Sequence, residues 1–296
     1  MFNLTLPELQ HRLLLLTYIY SYQSGTFTLS SGRSSNYYID GKQVTMAPEG
    51  LYTTAQYILA SLQQRRVHAE AIGGLTLGAD PIAAAVAILS EIWSKDMKPA
   101  ATSAPLVSFI VRKETKNHGT RSRIEGPFYH GMRAVIVDDV LTTGASVLNA
   151  ASAVETAGGS VSAIHVLVDR MEGGREAIEK AGYSLNAAIN RDSLERLQQE
   201  MEQRYPALTS SLQAEEVSWN KLPWDELQPD YPTLTAALAK LAKAVQADGE
   251  SSLPDRFQLR QTAGRFFSAV KAAVYHPDGE AEALKQVKLL QNTLAR

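Results

Sequence analysis

The chain of 296 residues contains no cysteine. This absence excludes disulfide bonds, thiol catalysis and zinc sites built on cysteine, and it is compatible with a reducing compartment. An excess of charge of one sign is also lacking, because 29 basic residues face 31 acidic ones and the net charge is −2. The composition therefore gives no general reason to expect nucleic acid or an anionic membrane as a partner.

Long apolar runs are lacking as well. The most apolar stretch near the start, LLLLTYIY at residues 13–20, is far shorter than the roughly 20 residues that cross a bilayer. The preceding LPELQHR carries charges of both signs, and no small-residue cleavage site follows, so we do not expect a signal peptide. We interpret the stretch as a buried N-terminal helix and expect a cytoplasmic protein.

The first two thirds of the chain alternate strand-like and helical patterns. Apolar, β-rich runs occur at residues 70–74, 105–111, 133–137 and 161–168. Helical patterns occur at residues 51–64, 81–93 and 144–157, the last of which stops at a Gly-Gly pair. This alternation predicts an α/β fold with a parallel sheet covered on both faces, and the continuous apolar character of the strands agrees.

The pattern changes after about residue 195, where the β-rich runs end. Apolar residues then share one helical face in three stretches, which are Leu234, Leu238, Leu241 and Val245; Phe266, Val270 and Val274; and Leu284, Val287 and Leu294. We predict two domains, an α/β domain at residues 1–199 and an all-helical C-terminal extension at residues 200–296. A looser, proline-containing connection is expected around residues 205–233, and no motif indicates a role for the extension.

The most informative stretch is AVIVDDVLTTGAS at residues 134–146. An apolar strand runs into two carboxylates, Asp138 and Asp139, and a tract of small residues then opens a helix. Ligands of open α/β sheets bind at the carboxyl ends of the strands, where carboxylates can accept hydrogen bonds from ribose hydroxyls and helix N–H groups can bind phosphate. A turn followed by a helix cap would explain a lone Asp-Asp, but two acids after four apolar residues lose solvation unless a ligand uses them. The stretch therefore predicts a sugar-phosphate site.

The string VIVDDVLTTGAS resembles the motif with which type I phosphoribosyltransferases bind 5-phosphoribosyl 1-diphosphate (PRPP). The resemblance implies an open, mostly parallel sheet flanked by helices. It also implies that Asp138 and Asp139 bind the ribose hydroxyls and stabilise the positive charge that develops at C1, while residues 142–146 hold the 5′-phosphate. The PRPP-binding residues implied along this motif are Asp138, Asp139, Val140, Leu141, Thr142, Thr143, Gly144, Ala145 and Ser146. The motif does not specify the base.

A cationic stretch follows the run at residues 105–111. Residues 112–123 contain five Lys or Arg against one Glu, and no helical or strand period fits them. We interpret the stretch as a mobile loop over a pyrophosphate leaving group, although a solvated basic loop would have the same composition. The order RKExKxHG resembles the catalytic loop of orotate phosphoribosyltransferases. This resemblance implies that PRPP also contacts Arg112, Lys113, Lys116 and His118, that Lys116 and His118 act in catalysis with the two aspartates, and that a homodimer shares its active sites through this loop.

Three further stretches resemble the same family. FTLSSGRSSNYYIDGK at residues 27–42 resembles its orotate-side segment, which implies that Tyr37 and Tyr38 lie along the base, although ordinary strand packing is equally compatible. IGGLTLGADPIA at residues 72–83 resembles the loop beside the pyrophosphate. DRMEGG at residues 169–174 resembles the orotate carboxylate site, which implies orotate contacts from Arg170 and Thr142.

The chain departs from some family members at two positions, where Ser30 and Leu77 stand in place of lysines. Contacts made by those lysines are therefore not expected here. The residues after 195 are also too few for a decarboxylase barrel of roughly 250 residues, so decarboxylation is not expected.

The resemblance implies transfer of phosphoribose from PRPP to N1 of orotate, giving orotidine 5′-phosphate and pyrophosphate in pyrimidine biosynthesis. Mg²⁺ is expected as cofactor, held mainly by PRPP oxygens and water without a direct protein ligand. Two alternatives stay open, a phosphoribosyltransferase for another base and a regulator that binds PRPP without turning it over.

Overall fold

The computed structural model describes residues 4–28, 34–96, 104–113, 123–214, 217–218, 221–248 and 256–294. The strands in these residues are β1 (Tyr22–Thr28), β2 (Ser34–Ile39), β3 (Ala71–Leu75), β4 (Val107–Val111), β5 (Ile124–Glu125), β6 (Arg133–Leu141), β7 (Ser160–Asp169) and β8 (Leu185–Asn190). The helices are α1 (Leu6–Tyr20), α2 (Lys42–Thr45), α3 (Pro48–Gln64), α4 (Ala79–Asp96), α5 (Ala145–Thr156), α6 (Gly174–Lys180), α7 (Arg191–Arg204), α8 (Pro206–Gln213), α9 (Pro232–Asp248), α10 (Arg256–Tyr275) and α11 (Gly279–Leu294). A short 3₁₀ helix, Trp224–Glu226, precedes α9.

The chain divides into two compact units. Unit 1 comprises Met1–Leu14 and Asp40–Ser193, and unit 2 comprises Leu15–Ile39 and Leu194–Arg296. Unit 2 therefore combines a segment from the N-terminal part of the chain with the C-terminal helices, which differs from a simple linear division. The domain boundary at residue 199 stays a prediction.

Unit 1 is built on a six-stranded sheet in the order β5-β4-β3-β6-β7-β8. Five strands run parallel, and the short β5 pairs antiparallel with β4 at one edge. Helix α4 packs on β3, β4 and β6, while α5 packs on β3, β6 and β7. The central strands are covered by their neighbours and by helices, which is why they read as continuous apolar runs. The predicted open, mostly parallel sheet flanked by helices is confirmed.

The last part of β6 differs from its predicted end at residue 137. The strand continues to Leu141 and stays paired with β7, with Leu141 opposite Asp169. Asp138 and Asp139 therefore lie within the strand, near its carboxyl end, and the parallel register brings the end of β7 alongside them.

Unit 2 contains an antiparallel ribbon of β1 and β2, which we call the N-terminal ribbon, and the C-terminal helices. Helix α10 packs on α8 and α11, and α11 also packs on α9. The predicted apolar faces are buried, as Leu238 in α9, Val270 in α10 and Val287 in α11 illustrate. The C-terminal helical extension is therefore confirmed as a folded element.

The prediction of a loose connection around residues 205–233 is wrong. Helix α8 and the 3₁₀ helix lie in this segment, and the side chains of Tyr205, Leu208 and Leu227 are buried. Two prolines, Pro206 and Pro232, begin helices α8 and α9, where a missing N–H and a fixed φ are favourable. Within the described ranges, no helix is long and apolar enough to cross a membrane.

Candidate active site

Asp138 and Asp139, which we call the acid pair, lie side by side near the carboxyl end of β6, and both are buried. The Asp139 N–H donates to Oδ1 of Asp138 at 3.0 Å, and the Val140 N–H donates to Oδ1 of Asp139 at 2.9 Å. Each carboxyl group is thus oriented by the backbone that follows it. The pair presents oxygen acceptors in fixed positions at the ligand-binding end of the sheet.

The pKa of the Asp138 carboxyl is raised by its surroundings. Burial and the neighbouring charge of Asp139 raise the pKa of Asp138 to about 7, although the Asp139 N–H and the Lys42 ammonium act in the opposite direction. The site can therefore gain or lose one negative charge at physiological pH.

Gly41 and Lys42 contact the acid pair, and sequence reasoning missed both. The Lys42 ammonium lies 3.2 Å from Oδ2 of Asp139 and 3.5 Å from Oδ1 of Asp40. Burial would lower the pKa of Lys42, but these two carboxylates raise it above the usual value. A Cβ at Gly41 would lie 2.8 Å from the Cβ of Asp139, so a side chain there would clash. Both residues lie at the end of the stretch at 27–42 that resembles the orotate-side segment. That resemblance was the sequence signal that could have identified them.

Gly78 brings backbone against the acid pair. A Cβ at this position would lie 2.3 Å from Oδ1 of Asp138 and 2.5 Å from Oδ1 of Asp139, closer than side-chain carbons approach oxygen. The turn between β3 and α4 therefore approaches both carboxyl groups, and only glycine fits. Gly78 belongs to the stretch that resembles the pyrophosphate loop. Its neighbour Leu77 is 71% exposed.

The predicted phosphate loop, residues 142–146, connects β6 to α5. Gly144 adopts a left-handed conformation, with φ of +82°, just before the helix begins. Thr143, Ala145 and Ser146 are exposed, and Thr142 is half-buried. Gly144 is the N-cap residue of α5 and forms no side-chain cap, so the first N–H groups of the helix are available to an anion.

Val140 and Leu141 are also predicted to bind PRPP, but their side chains are less accessible to a ligand than those of the phosphate loop. Val140 is half-buried, and the Leu141 side chain packs in the core beneath the sheet. The Leu141 carbonyl accepts a hydrogen bond from the Arg170 N–H at 3.0 Å. Any contribution of Leu141 to PRPP binding is therefore confined to its backbone.

The turn after β7 carries Arg170 to the same end of the sheet. Arg170 is buried, and its Nη2 lies 2.8 Å from Oε1 of Glu172. The preceding Asp169 accepts hydrogen bonds from the Met171 N–H at 2.8 Å and from Nε of Arg175 at 3.1 Å. These contacts fix the turn, and the bond to Leu141 ties it to the strand that carries the acid pair. The guanidinium of Arg170 is thus held in a well-defined place.

Arg112 and Lys113 lie at the start of the predicted catalytic loop, whereas Lys116 and His118 lie outside the described residues. The Arg112 N–H donates to the Arg123 carbonyl, and Nη2 of Arg123 donates to the Arg112 carbonyl, each at 2.9 Å. The Arg112 guanidinium pairs with Glu125 at 3.2 Å. The loop thus has a closed stem at the carboxyl end of β4, which is one strand removed from β6 through β3.

Tyr37 and Tyr38 belong to unit 2 and face opposite sides of the N-terminal ribbon. Tyr37 is buried and stacks on Tyr22, with ring centroids 6.0 Å apart at 13°. Tyr38 is 41% exposed, and its ring lies 5.7 Å from that of Phe27. Tyr37 therefore has a packing role, whereas Tyr38 presents an aromatic face. The contacts of Tyr37 and Tyr38 with orotate stay predictions. Ser30, in the same segment, lies outside the described residues.

Metal-ligating side chains do not cluster in the part of the chain that the structure describes, where no group of three or more His, Asp or Glu could hold an ion. The carboxyl oxygens of the acid pair are the hard donors at the carboxyl end of the sheet. A divalent cation there would need most of its ligands from a bound substrate and from water.

Comparison with known proteins agrees with this geometry. A family model described as phosphoribosyl transferase domain matches residues 81–190, a span that includes the acid pair, the phosphate loop and Arg170. An orotate phosphoribosyltransferase from Synechocystis sp. is 40% identical over 183 residues, which are 62% of this chain and 86% of the relative. The orotate phosphoribosyltransferase from Aquifex aeolicus is 45% identical over 159 residues, which are 54% of this chain and 81% of that protein.

Solved structures of an orotate phosphoribosyltransferase from Mycobacterium tuberculosis H37Rv are also similar. The complex with Fe(III) dicitrate is 33% identical, with a TM-score of 0.53, and the match covers 63% of this chain and 98% of that one. The complex with PRPP is 31% identical, with a TM-score of 0.50 and coverage of 63% and 99%. Each of these matches leaves more than a third of this chain uncovered.

Proposed function

This chain belongs to the orotate phosphoribosyltransferase family, and we propose that it transfers phosphoribose from PRPP to N1 of orotate in pyrimidine biosynthesis. The bond between C1 of the ribose and pyrophosphate breaks with both electrons going to pyrophosphate. A bond from N1 of orotate to C1 forms, and the N1 proton passes to water. The products are orotidine 5′-phosphate and pyrophosphate.

The observation that carries this proposal is the acid pair, held between Lys42 and Gly78 at the carboxyl end of the sheet. Its carboxylates would accept hydrogen bonds from the ribose hydroxyls. Their negative charge would also stabilise the positive charge that develops at C1 as pyrophosphate leaves. Catalysis then consists mainly of positioning and electrostatics.

The anionic parts of the substrates are assigned to the neighbouring elements. The 5′-phosphate would bind to the phosphate loop at the start of α5, where N–H groups and three hydroxyls are available. Arg170 would bind the orotate carboxylate through a charge-assisted pair, for which Glu172 must yield part of its contact. Lys116 and His118 would stabilise the departing pyrophosphate, as the resemblance of their loop implies.

Mg²⁺ is part of the proposal, because the acid pair offers the hard oxygen donors that this ion prefers. PRPP oxygens and water would hold the ion. When bound, Mg²⁺ neutralises charge on the pyrophosphate.

The test is a panel of bases offered to the purified chain with PRPP and Mg²⁺. Pyrophosphate release is measured for orotate, uracil, adenine and hypoxanthine, and PRPP binding is measured in parallel. Pyrophosphate release with orotate and with none of the other three bases supports the proposal. Release with a purine would identify a phosphoribosyltransferase for another base, and PRPP binding without release would identify a regulator.

We also propose a cytoplasmic homodimer with shared active sites, because the RKExKxHG loop resembles one that crosses to the neighbouring subunit. Subunit mixing tests this arrangement with two inactive variants, Lys116→Ala and Asp139→Asn. If the loop acts in the partner's site, mixed dimers contain one intact site, and equal mixing should restore about a quarter of the wild-type activity. A mixture that stays inactive would contradict shared sites.

A further inference from the structure

A buried lysine of the C-terminal extension contacts the backbone of the N-terminal segment within unit 2. Lys271 lies on α10 and is 1% exposed. Its ammonium donates to the Tyr22 carbonyl at 2.7 Å and to the Tyr18 carbonyl at 3.1 Å. Tyr18 is in the last turn of α1, whose carbonyls lack helical partners, and Tyr22 begins β1. Lys271 therefore fixes the junction between α1 and β1.

The surroundings of Lys271 are aromatic rather than acidic. Its ammonium lies 4.3 Å from the ring centroid of Tyr18, 4.6 Å from that of Phe267 and 5.5 Å from that of Tyr22. Within the described residues no carboxylate forms an ion pair with it, and burial lowers the pKa of Lys271 to about 7. An uncharged amine would still have two N–H groups for the two carbonyls. The contacts to α1 and β1 are therefore compatible with either protonation state.

These contacts extend to the N-terminal ribbon. The Tyr22 ring stacks on Tyr37 of β2, which precedes the exposed Tyr38. Farther along β1, the Ser24 hydroxyl is hydrogen-bonded to the Gln213 amide of α8. The C-terminal helices thus support one strand of the ribbon at two successive points.

The space beside these contacts is too small for a ligand. A cavity lined by Ser24, Gln213, Phe267 and Lys271, among others, has a volume of about 20 Å³, which is about that of one water molecule. Packing of the ribbon, rather than binding of a small molecule, accounts for the burial of Lys271.

We propose that Lys271 is a positioning residue for orotate binding, acting through Tyr22 and Tyr37 on the ribbon that carries Tyr38. This rests on the proposed function and on the contact between Tyr38 and orotate that the resemblance of residues 27–42 implies. The C-terminal extension is then a support of the substrate-side ribbon rather than an independent module.

The test compares Lys271→Met, which keeps an unbranched side chain but removes the amine, with Lys288→Met, an exposed position on α11. Hydrogen exchange is measured for the amides of β1 and β2 and for those of β3–β8, and KM is measured for each substrate. In Lys271→Met we expect about tenfold faster exchange in the ribbon and about a tenfold higher KM for orotate, as for loss of one charge-assisted hydrogen bond. Exchange in β3–β8, KM for PRPP and kcat should stay within about twofold.

A merely structural role would instead accelerate exchange throughout the chain and change both KM values together. Unchanged ribbon exchange in a folded Lys271→Met variant, or equal changes in the two KM values, would overturn the inference. If Lys271→Met does not fold, Tyr22→Leu, which removes the stacking on Tyr37, should raise KM for orotate alone, and a change in both would overturn it. If the wild-type chain does not turn over orotate, the proposed function fails, and ribbon exchange, which needs no substrate, decides whether Lys271 holds the ribbon.

Discussion

Changing the pH between 6 and 8 should change kcat/KM for PRPP through the ionisation of Asp138 in the acid pair. With the pKa of Asp138 raised to about 7 by burial and by Asp139, about a tenth of this carboxyl is ionised at pH 6 and about nine tenths at pH 8. A protonated Asp138 carries no negative charge with which to stabilise positive charge at C1. The value of kcat/KM for PRPP should therefore rise about tenfold over this range, with its midpoint near neutral pH, because this ratio reports the free enzyme.

Removing the charge of Lys42 should raise the pKa of Asp138 further. The ammonium favours the ionised form of Asp138 and thereby lowers its pKa. Lys42→Met should move the midpoint of the profile to higher pH, by about half a unit for a partly exposed charge. The variant should also lose activity at every pH, because the contact at 3.2 Å with Asp139 is lost.

The assay is pyrophosphate release at low PRPP and saturating orotate, measured at constant ionic strength. Lys180→Met, at the exposed end of α6, serves as the control and should keep the wild-type profile. Titration of PRPP itself is the same for every variant, so it cannot produce a difference between profiles. A flat wild-type profile, or a Lys42→Met midpoint that is unchanged or lower, would refute the reasoning.

Three further predictions concern single residues. Gly78→Ala would place a methyl group 2.3 Å from Oδ1 of Asp138, so kcat/KM should fall about 100-fold. As a control, Gly264→Ala in helix α10 should keep kcat/KM within about twofold of the wild-type value. Near-wild-type activity of Gly78→Ala would contradict the close approach of Gly78 to the acid pair. Arg170→Met should raise KM for orotate about tenfold and leave KM for PRPP unchanged when each substrate is varied in turn, whereas equal changes would argue against a carboxylate contact. Because the folded-state pKa of Lys271 lies below its ordinary value of 10.5, the unfolded chain binds more protons between about pH 7 and 10.5. The free energy of unfolding should rise with pH there, by at most about 1.4 kcal/mol per unit. Urea denaturation should show a smaller slope with pH for Lys271→Met, and an equal slope would be inconsistent with this assignment.

Local patterns in the sequence were sufficient for most of the sheet and for the acid pair. The central strands are continuous apolar runs because both faces are covered, and such runs can be recognised one by one. The end of β6 could not be predicted in the same way, because Asp138 and Asp139 are polar and only their pairing with β7 extends the strand. The prolines between residues 205 and 233 suggested a loose segment, yet Pro206 and Pro232 each begin a helix.

Contacts between distant parts of the chain were beyond the reach of local patterns. Lys42 meets Asp139 although 97 positions separate them, and Gly78 approaches the acid pair from the turn between β3 and α4. Both occur in stretches that resemble the family, but resemblance did not indicate which residues touch the acids. Packing between distant segments groups residues 15–39 with the C-terminal helices. The contact of Lys271 with Tyr22 joins positions that are 249 residues apart.

Formation of orotidine 5′-phosphate from PRPP and orotate by the purified full-length chain tests whether the acid pair serves an orotate phosphoribosyltransferase. The measurement includes Asp138→Asn and Asp139→Asn, which keep the shape of the side chains and remove one charge each. We predict equal amounts of orotidine 5′-phosphate and pyrophosphate with the wild-type chain, and rates about 100-fold lower with either folded variant. Absence of product with orotate, or wild-type rates in both variants, would contradict the assignment.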